Sequence, residues 1–315
     1  MENNFYPMTT AELMDRAIDV YKKSFGRQLG FAAIFGIIAY LSLFIMGIFA
    51  IIVIGIFSTF ALDPFNNTYS GGIFGMMTLF FVVIMPIIFL YFSVSSAGHI
   101  LISKSAFYGR KENLPVGQLP RISFRIFGAL IAQAIGSLPF VILVFIGFRL
   151  NFFTFTLTYY PWVFIVVTIA LAISYLLYMN IFSLAVAVSA FERKTFFNAL
   201  IRSWELIRGE FWKIAGMRLL WLLAIGVIWM ATYGVLILIS AFGAFVPTLF
   251  DTDIPYAAVG FTTVISALFS FVVAFAITPL DGVFQATLYF NQRIKKEGLD
   301  IEVKLEKLTN ERQLS

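Results

Sequence analysis

Long apolar runs alternate with short polar segments that hold nearly all the charges. The runs are Leu29–Phe57, Ile73–Ser103, Ile126–Phe148, Trp162–Ala190, Ile214–Val246 and Ala257–Phe290; Arg218 interrupts the fifth near its start and Asp281 interrupts the sixth. About 20 apolar residues cross a bilayer as a helix, more if tilted. Each run qualifies, and none approaches twice that length. The pattern predicts an all-α polytopic membrane bundle of six transmembrane helices (residues 29–292). An amphipathic cytoplasmic segment (1–28) precedes it and a charged tail (293–315) follows.

Two polar segments carry helical periodicity. In the first, Met14, Ile18, Tyr21 and Phe25 share one face, and Thr9 with Glu12 fits a capping box. Glu12–Arg16 and Asp19–Lys23 are acid-to-base pairs four apart, the favourable order. In the second, about 195–212, Phe197, Leu200, Ile201, Trp204 and Phe211 share a face opposite Asn198, Arg202, Glu205 and Gly209. Such a face beside a span predicts a helix in the lipid headgroups, anchored by Trp204, Phe211 and Trp212. Packing onto the ends of the spans is the competing reading.

Charge then orients the chain. Of its 22 Lys and Arg, four lie in Met1–Gln28, five in Lys104–Arg125, six in Glu192–Arg218 and six from Arg293 onward, which leaves Arg149 for the opposite side. The positive-inside rule puts both termini in the cytoplasm. Acids mixed among these bases argue for topology and anionic lipid rather than nucleic acid. With Glu2, Glu12, Asp15 and Asp19 ahead of the first apolar run, the amino terminus does not read as a cleaved signal peptide.

Composition narrows the chemistry. Apolar residues make up 60% of the chain and charged ones 12%, against about 25% charged in soluble domains, so lipid must cover part of the surface. There is no cysteine and one histidine, His99, which excludes disulfides, thiolate chemistry and a multi-histidine zinc site. No phosphate loop, dinucleotide fingerprint or HExxH motif occurs, and no cofactor is expected.

The two amphipathic segments resemble each other at a shift of 186 positions: Arg16 meets Arg202, Asp19 meets Glu205, Lys22 meets Arg208 and Phe25 meets Phe211. Each leads into a pair of spans, with Pro86 and Pro279 similarly placed, which suggests a repeated hairpin. The opening Leu13-Met14-Asp15-Arg16-Ala17-Ile18-Asp19-Val20-Tyr21-Lys22-Lys23-Ser24-Phe25 and the ending Ala286-Thr287-Leu288-Tyr289-Phe290-Asn291-Gln292-Arg293-Ile294-Lys295-Lys296-Glu297-Gly298-Leu299-Asp300 resemble the membrane domain of some glycerophosphodiester phosphodiesterases and its stand-alone bacterial relatives. In those enzymes the chemistry sits in a separate soluble barrel. Here a charged tail follows Arg293, so the resemblance implies the membrane domain without the enzyme.

Asp281 is the foremost candidate site residue. It lies about 18 Å up a helix from Arg293, between Pro279 and Gly282. A charge at that depth usually faces a bundle interior or a watered cavity. It reads either as a proton- or ion-binding position or as a structural carboxyl. His99 reads as a packing histidine or as a proton relay. Pro86 and Pro279 are expected kinks. Small residues recur every four at Gly128, Ala132 and Gly136, and at Ser266, Ser270, Ala274 and Thr278, as close helix packing in lipid requires. The leading expectation is a non-enzymatic scaffold, accessory or regulatory module with a membrane-protein partner or a second copy. A small transporter or lipid-handling permease using Asp281 is the runner-up, and an intramembrane enzyme comes third.

Overall fold

The computed structural model describes residues 6–61, 85–109, 116–149, 152–249, 255–298 and 301. Among them every regular element is a helix. Helix α1 is Thr10–Ala61, α2 Met85–Phe107, α3 Leu119–Arg149, α4 Phe152–Tyr159, α5 Pro161–Ile181, α6 Ala185–Phe191, α7 Phe196–Ile207, α8 Phe211–Leu249 and α9 Pro255–Glu297. A short 3₁₀ turn, Val116–Gln118, leads into α3. Five stretches among the described residues are long and apolar enough to cross a membrane: Ile87–Phe107, Leu119–Val144, Pro161–Phe191, Phe211–Phe242 and Thr262–Glu297. The chain is an all-α membrane protein.

The amphipathic amino-terminal segment and the first apolar run form one helix, α1, of 52 residues. Its start is fixed by Thr9, whose backbone N–H donates to Glu12 Oε2 at 2.7 Å, while Glu12 N–H donates back to Thr9 Oγ1 at 3.4 Å. The face of α1 that packs is Leu13, Ala17, Val20, Ser24 and Gln28, all buried, whereas Ile18 and Phe25 of the expected apolar face stay accessible. Small and medium side chains let α1 approach α2 and α9, and the bulkier ones are left for the surrounding medium.

Burial concentrates at the end of the bundle where the basic segments gather. It includes Ala97–Phe107 in α2, Ile122–Ala132 in α3, Ile214–Trp221 in α8 and Ile277–Ile294 in α9, with Tyr289 and Phe284 the largest fully enclosed side chains. Towards the other end Ile45, Val141, Met230 and Leu238 are exposed, and α5 has no buried residue. Such continuous apolar surface is what hydrocarbon covers.

The fourth apolar run is not one uninterrupted helix. A turn at Phe182–Leu184 separates α5 from α6, and Ser203 of α7 holds the break: its hydroxyl donates to Ile181 O at 3.0 Å and accepts from Leu184 N–H at 3.2 Å. Backbone groups freed at membrane depth need such a partner. Helix α7 buries Ala199, Leu200, Ser203, Leu206 and Ile207, while Phe197, Ile201 and Trp204 are exposed. Arg202 on its polar side binds Glu192 (2.8 Å), Glu205 (3.3 Å) and Glu297. Burial works against its charge, but the hydrogen bonds it donates to Glu192 and Glu297 outweigh that and raise its pKa above the ordinary arginine value.

Candidate polar crevice

Helices α8 and α9 run antiparallel, so side chains meet in reversed order: Glu210 contacts Lys295 at 3.1 Å, and Trp221 stacks on Phe284. Asp281 lies one turn before Phe284, and Arg218 one turn before Trp221. Asp281 is ringed by protein, yet its side chain reaches the molecular surface. Its Oδ2 accepts from Gln285 Nε2 at 2.6 Å, a pair four apart on one helical face. Arg218 is the cation that acts on it, but its Nη1 donates to the carbonyl of Met179 on α5 at 3.3 Å. Gln285 Oε1, Asn180 Oδ1 and Trp221 Nε1 have no partner. Arg218 thus ties α8 to α5, while Asp281 and Gln285 form a pair on the neighbouring α9. Unmatched polar atoms at membrane depth are costly and mark a place for water or a further polar group.

Helix α9 continues through Pro279. The turn it loosens is held from outside, since Tyr21 of α1 donates its hydroxyl to Ala276 O at 2.5 Å. Pro86 falls in the first turn of α2, next to residues outside the described set.

His99 is enclosed between α1, α2 and α9. Gln28 Nε2 donates to His99 O at 3.2 Å and to Ser103 Oγ at 3.1 Å, which leaves Gln28 Oε1 to accept from His99 Nδ1–H at 2.6 Å. The network assigns the Nδ1–H tautomer, with Nε2 buried and without a partner. A Cβ on Gly282 would lie 2.8 Å from His99 Cβ, so glycine is what lets α2 reach α9 there. His99 and Asp281 therefore adjoin the same turn of α9, but each is hydrogen-bonded to a different glutamine.

The small residues of α3 face neighbours. A Cβ on Gly128 would meet Phe196, Ala132 is buried, and a Cβ on Gly136 would overlap the Tyr178 hydroxyl. In α9, Ser270 donates to Ser266 O at 2.7 Å, and Ala274 O accepts from Thr278 at the same distance. Trp204 and Trp212 are exposed, and Phe211 is half-buried. The sequence pointed to Asp281 and His99. It did not single out Gln28, Asn180, Trp221 or Gln285, of which the four-residue spacing from Asp281 to Gln285 was readable.

No family model, curated protein or solved structure matches the chain.

Proposed function

We propose that the chain is a non-enzymatic module of the bacterial cytoplasmic membrane, a scaffold, accessory or regulatory subunit that engages a membrane partner through the crevice at Asp281. The carrying observation is that Asp281, an acid within an apolar span, is accessible from the side of the bundle and is held by one side-chain partner, Gln285 on its own helix. A carboxylate deep in a span costs several kcal/mol unless matched. A polar residue from a neighbouring transmembrane helix would complete the match. The resemblance of the two ends of the chain to an enzyme-associated membrane domain suits this reading. The test places a photo-crosslinking residue at Thr278, one turn from Asp281, in native membranes. A discrete crosslinked species that Asp281→Asn abolishes, with expression unchanged, supports the reading; crosslinks to lipid alone refute it.

A second reading is a small transporter, favoured by an accessible carboxylate, Asp281, within an apolar span. It requires a water-reachable Asp281 that substrate protects from carbodiimide, which a scaffold does not.

The proposed topology has six spans, both termini in the cytoplasm, and the exposed Phe197–Ile201–Trp204 strip of α7 in the headgroups beside anionic lipid. The chain has no cysteine background, so a cysteine at Thr158 should react with an impermeant thiol reagent from outside and one at Asn198 should not. The opposite pattern inverts the topology.

A further inference from the structure

We propose that the slot between α3 and α5 is a binding site for one acyl chain of a membrane phospholipid. Phe140, Val141 and Val144, spaced along one face of α3, look across at Thr168, Leu171 and Tyr175, spaced along one face of α5, and together they line an open groove of about 690 Å³. At one end the helices are pinned: Tyr178 donates its hydroxyl to Gln133 O at 2.5 Å, and Gly136 leaves room for the ring. At the other end Leu157 of α4 lies across the slot. From Phe164 to Tyr175 the lined face of α5 runs about 16 Å, a long and narrow shape.

Three occupants can be set against that shape. The groove opens on the side of the bundle, so it is filled by whatever surrounds the helices. Water needs two to four polar partners, and these walls offer few; the Ser137 hydroxyl is already given to Ala134 O at 2.7 Å. A partner helix, about 10 Å across with its side chains, is too wide for a slot bridged by Phe140 and Tyr175 with ring centroids 5.7 Å apart. A single hydrocarbon chain fits. Both helices belong to stretches apolar enough to cross a membrane, so hydrocarbon surrounds the slot. Its walls are reachable from the side, Val141 being 57% exposed. At the α4–α5 corner Tyr159, Tyr160 and Trp162 are exposed, the aromatic signature of the interface where the lipid headgroup would lie.

The experiment uses the full chain in phosphatidylcholine–phosphatidylglycerol vesicles that contain a trace phospholipid with a diazirine on its acyl chain. After illumination, labelled residues are mapped. Labelling is expected to concentrate at 140–144 and 168–175 over the open lipid-facing surface of α8, Leu219–Ile228. Ala172→Trp, which fills the slot, should lower slot labelling on the order of tenfold, the effect of ~1.4 kcal/mol of lost binding, and leave α8 labelling and the melting temperature unchanged. Equal labelling of slot and α8 in the unmodified chain overturns the proposal, whatever the variants do. So does slot labelling that a folded Ala172→Trp leaves intact, or crosslinking of slot positions to a second polypeptide. Should Ala172→Trp fail to fold, Ser137→Leu supplies the same comparison.

Discussion

The ring of Phe284 lies against the indole of Trp221, centroids 4.7 Å apart and planes within 10°. The stack separates two opposite charges. Arg218 is one turn from Trp221 and Asp281 one turn from Phe284 on antiparallel helices, so their backbones differ by about 9 Å in axial rise. Arg218 therefore satisfies its guanidinium on Met179 O. It follows that Asp281→Asn, which keeps an acceptor for Gln285, should cost about 1 kcal/mol or less. A directly paired buried carboxylate would cost ~3–5 kcal/mol on removal. Trp221→Ala, which opens the stack, should cost ~3–5 kcal/mol. Thermal unfolding in detergent, followed by helical circular dichroism, measures both; a loss for Asp281→Asn as large as that for Trp221→Ala would mean the two charges are in contact.

Two glycines on facing helices should respond oppositely to alanine. A Cβ on Gly282 would press on His99 Cβ at 2.8 Å, between two helix backbones that cannot easily part. Gly282→Ala should destabilise by ~1–3 kcal/mol. Gly30 has nothing within 4 Å of an added Cβ, so Gly30→Ala should be neutral or stabilise by up to ~1 kcal/mol through helix propensity. Melting temperatures of the two variants in one detergent decide the matter, and equal shifts would contradict the close approach of α2 to α9.

Gln28 serves three partners at once: the ring and carbonyl of His99, and Ser103 Oγ. Gln28→Leu strands the buried Nδ1–H and should cost about 1–3 kcal/mol. His99→Phe removes the stranded group, so the double variant should lose less than the sum of the singles, with a coupling of ~0.5–3 kcal/mol. Strict additivity in a double-mutant cycle would dissociate the two residues.

Apolar runs made the helical bundle legible, because a helix is the form in which a single segment satisfies its own backbone in lipid. Two features were less readable. Periodicity selected Met14, Ile18, Tyr21 and Phe25, but the packed stripe is Leu13, Ala17, Val20, Ser24 and Gln28. Next to a bilayer, a helix has two apolar surroundings, and the larger side chains need not be the ones that pack. In the same way α7 buries Ala199, Ser203 and Leu206, which are the shifted counterparts of Leu13, Ala17 and Val20, and leaves Trp204 exposed as the counterpart of Ile18. At the crevice, Asp281 stood out as a charge in an apolar run. Asn180 and Trp221 gain their meaning from helix pairing, which no local pattern encodes.

The two faces of α7 yield a depth prediction. A spin label at Trp204, 41% exposed on the apolar strip, should be quenched by lipid-borne relaxers. One at Arg202, held by Glu192 and Glu205, should respond to water-borne relaxers instead. Equal response at both sites would remove the interfacial assignment, and shielding of Trp204 from both relaxers would mean that another protein surface covers the strip.

At the basic end, Glu210 sits just before α8 and accepts from Lys295 at 3.1 Å and Gln292 at 3.4 Å. Partial burial opposes its charge, but the Lys295 ammonium outweighs that, and the pKa of Glu210 lies below its ordinary value of about 4.5. The start of α8 favours an anion in the same place. Because the folded-state value is the lower one, the folded chain binds this proton less readily than the unfolded chain. Its stabilisation is therefore fully present above about pH 4.5 and is lost as pH falls through the folded-state value. The pair is partly exposed, so the difference should stay below about 1 kcal/mol. Glu210→Gln should melt lower than the parent at neutral pH, and the two should converge as the medium is acidified. Lys295→Met, which removes the cation, should flatten the parent's acid dependence in the same window. Melting curves of the three proteins in a detergent that does not itself titrate there provide the check, and a gap between parent and Glu210→Gln that widens on acidification would reverse the sign of the coupling.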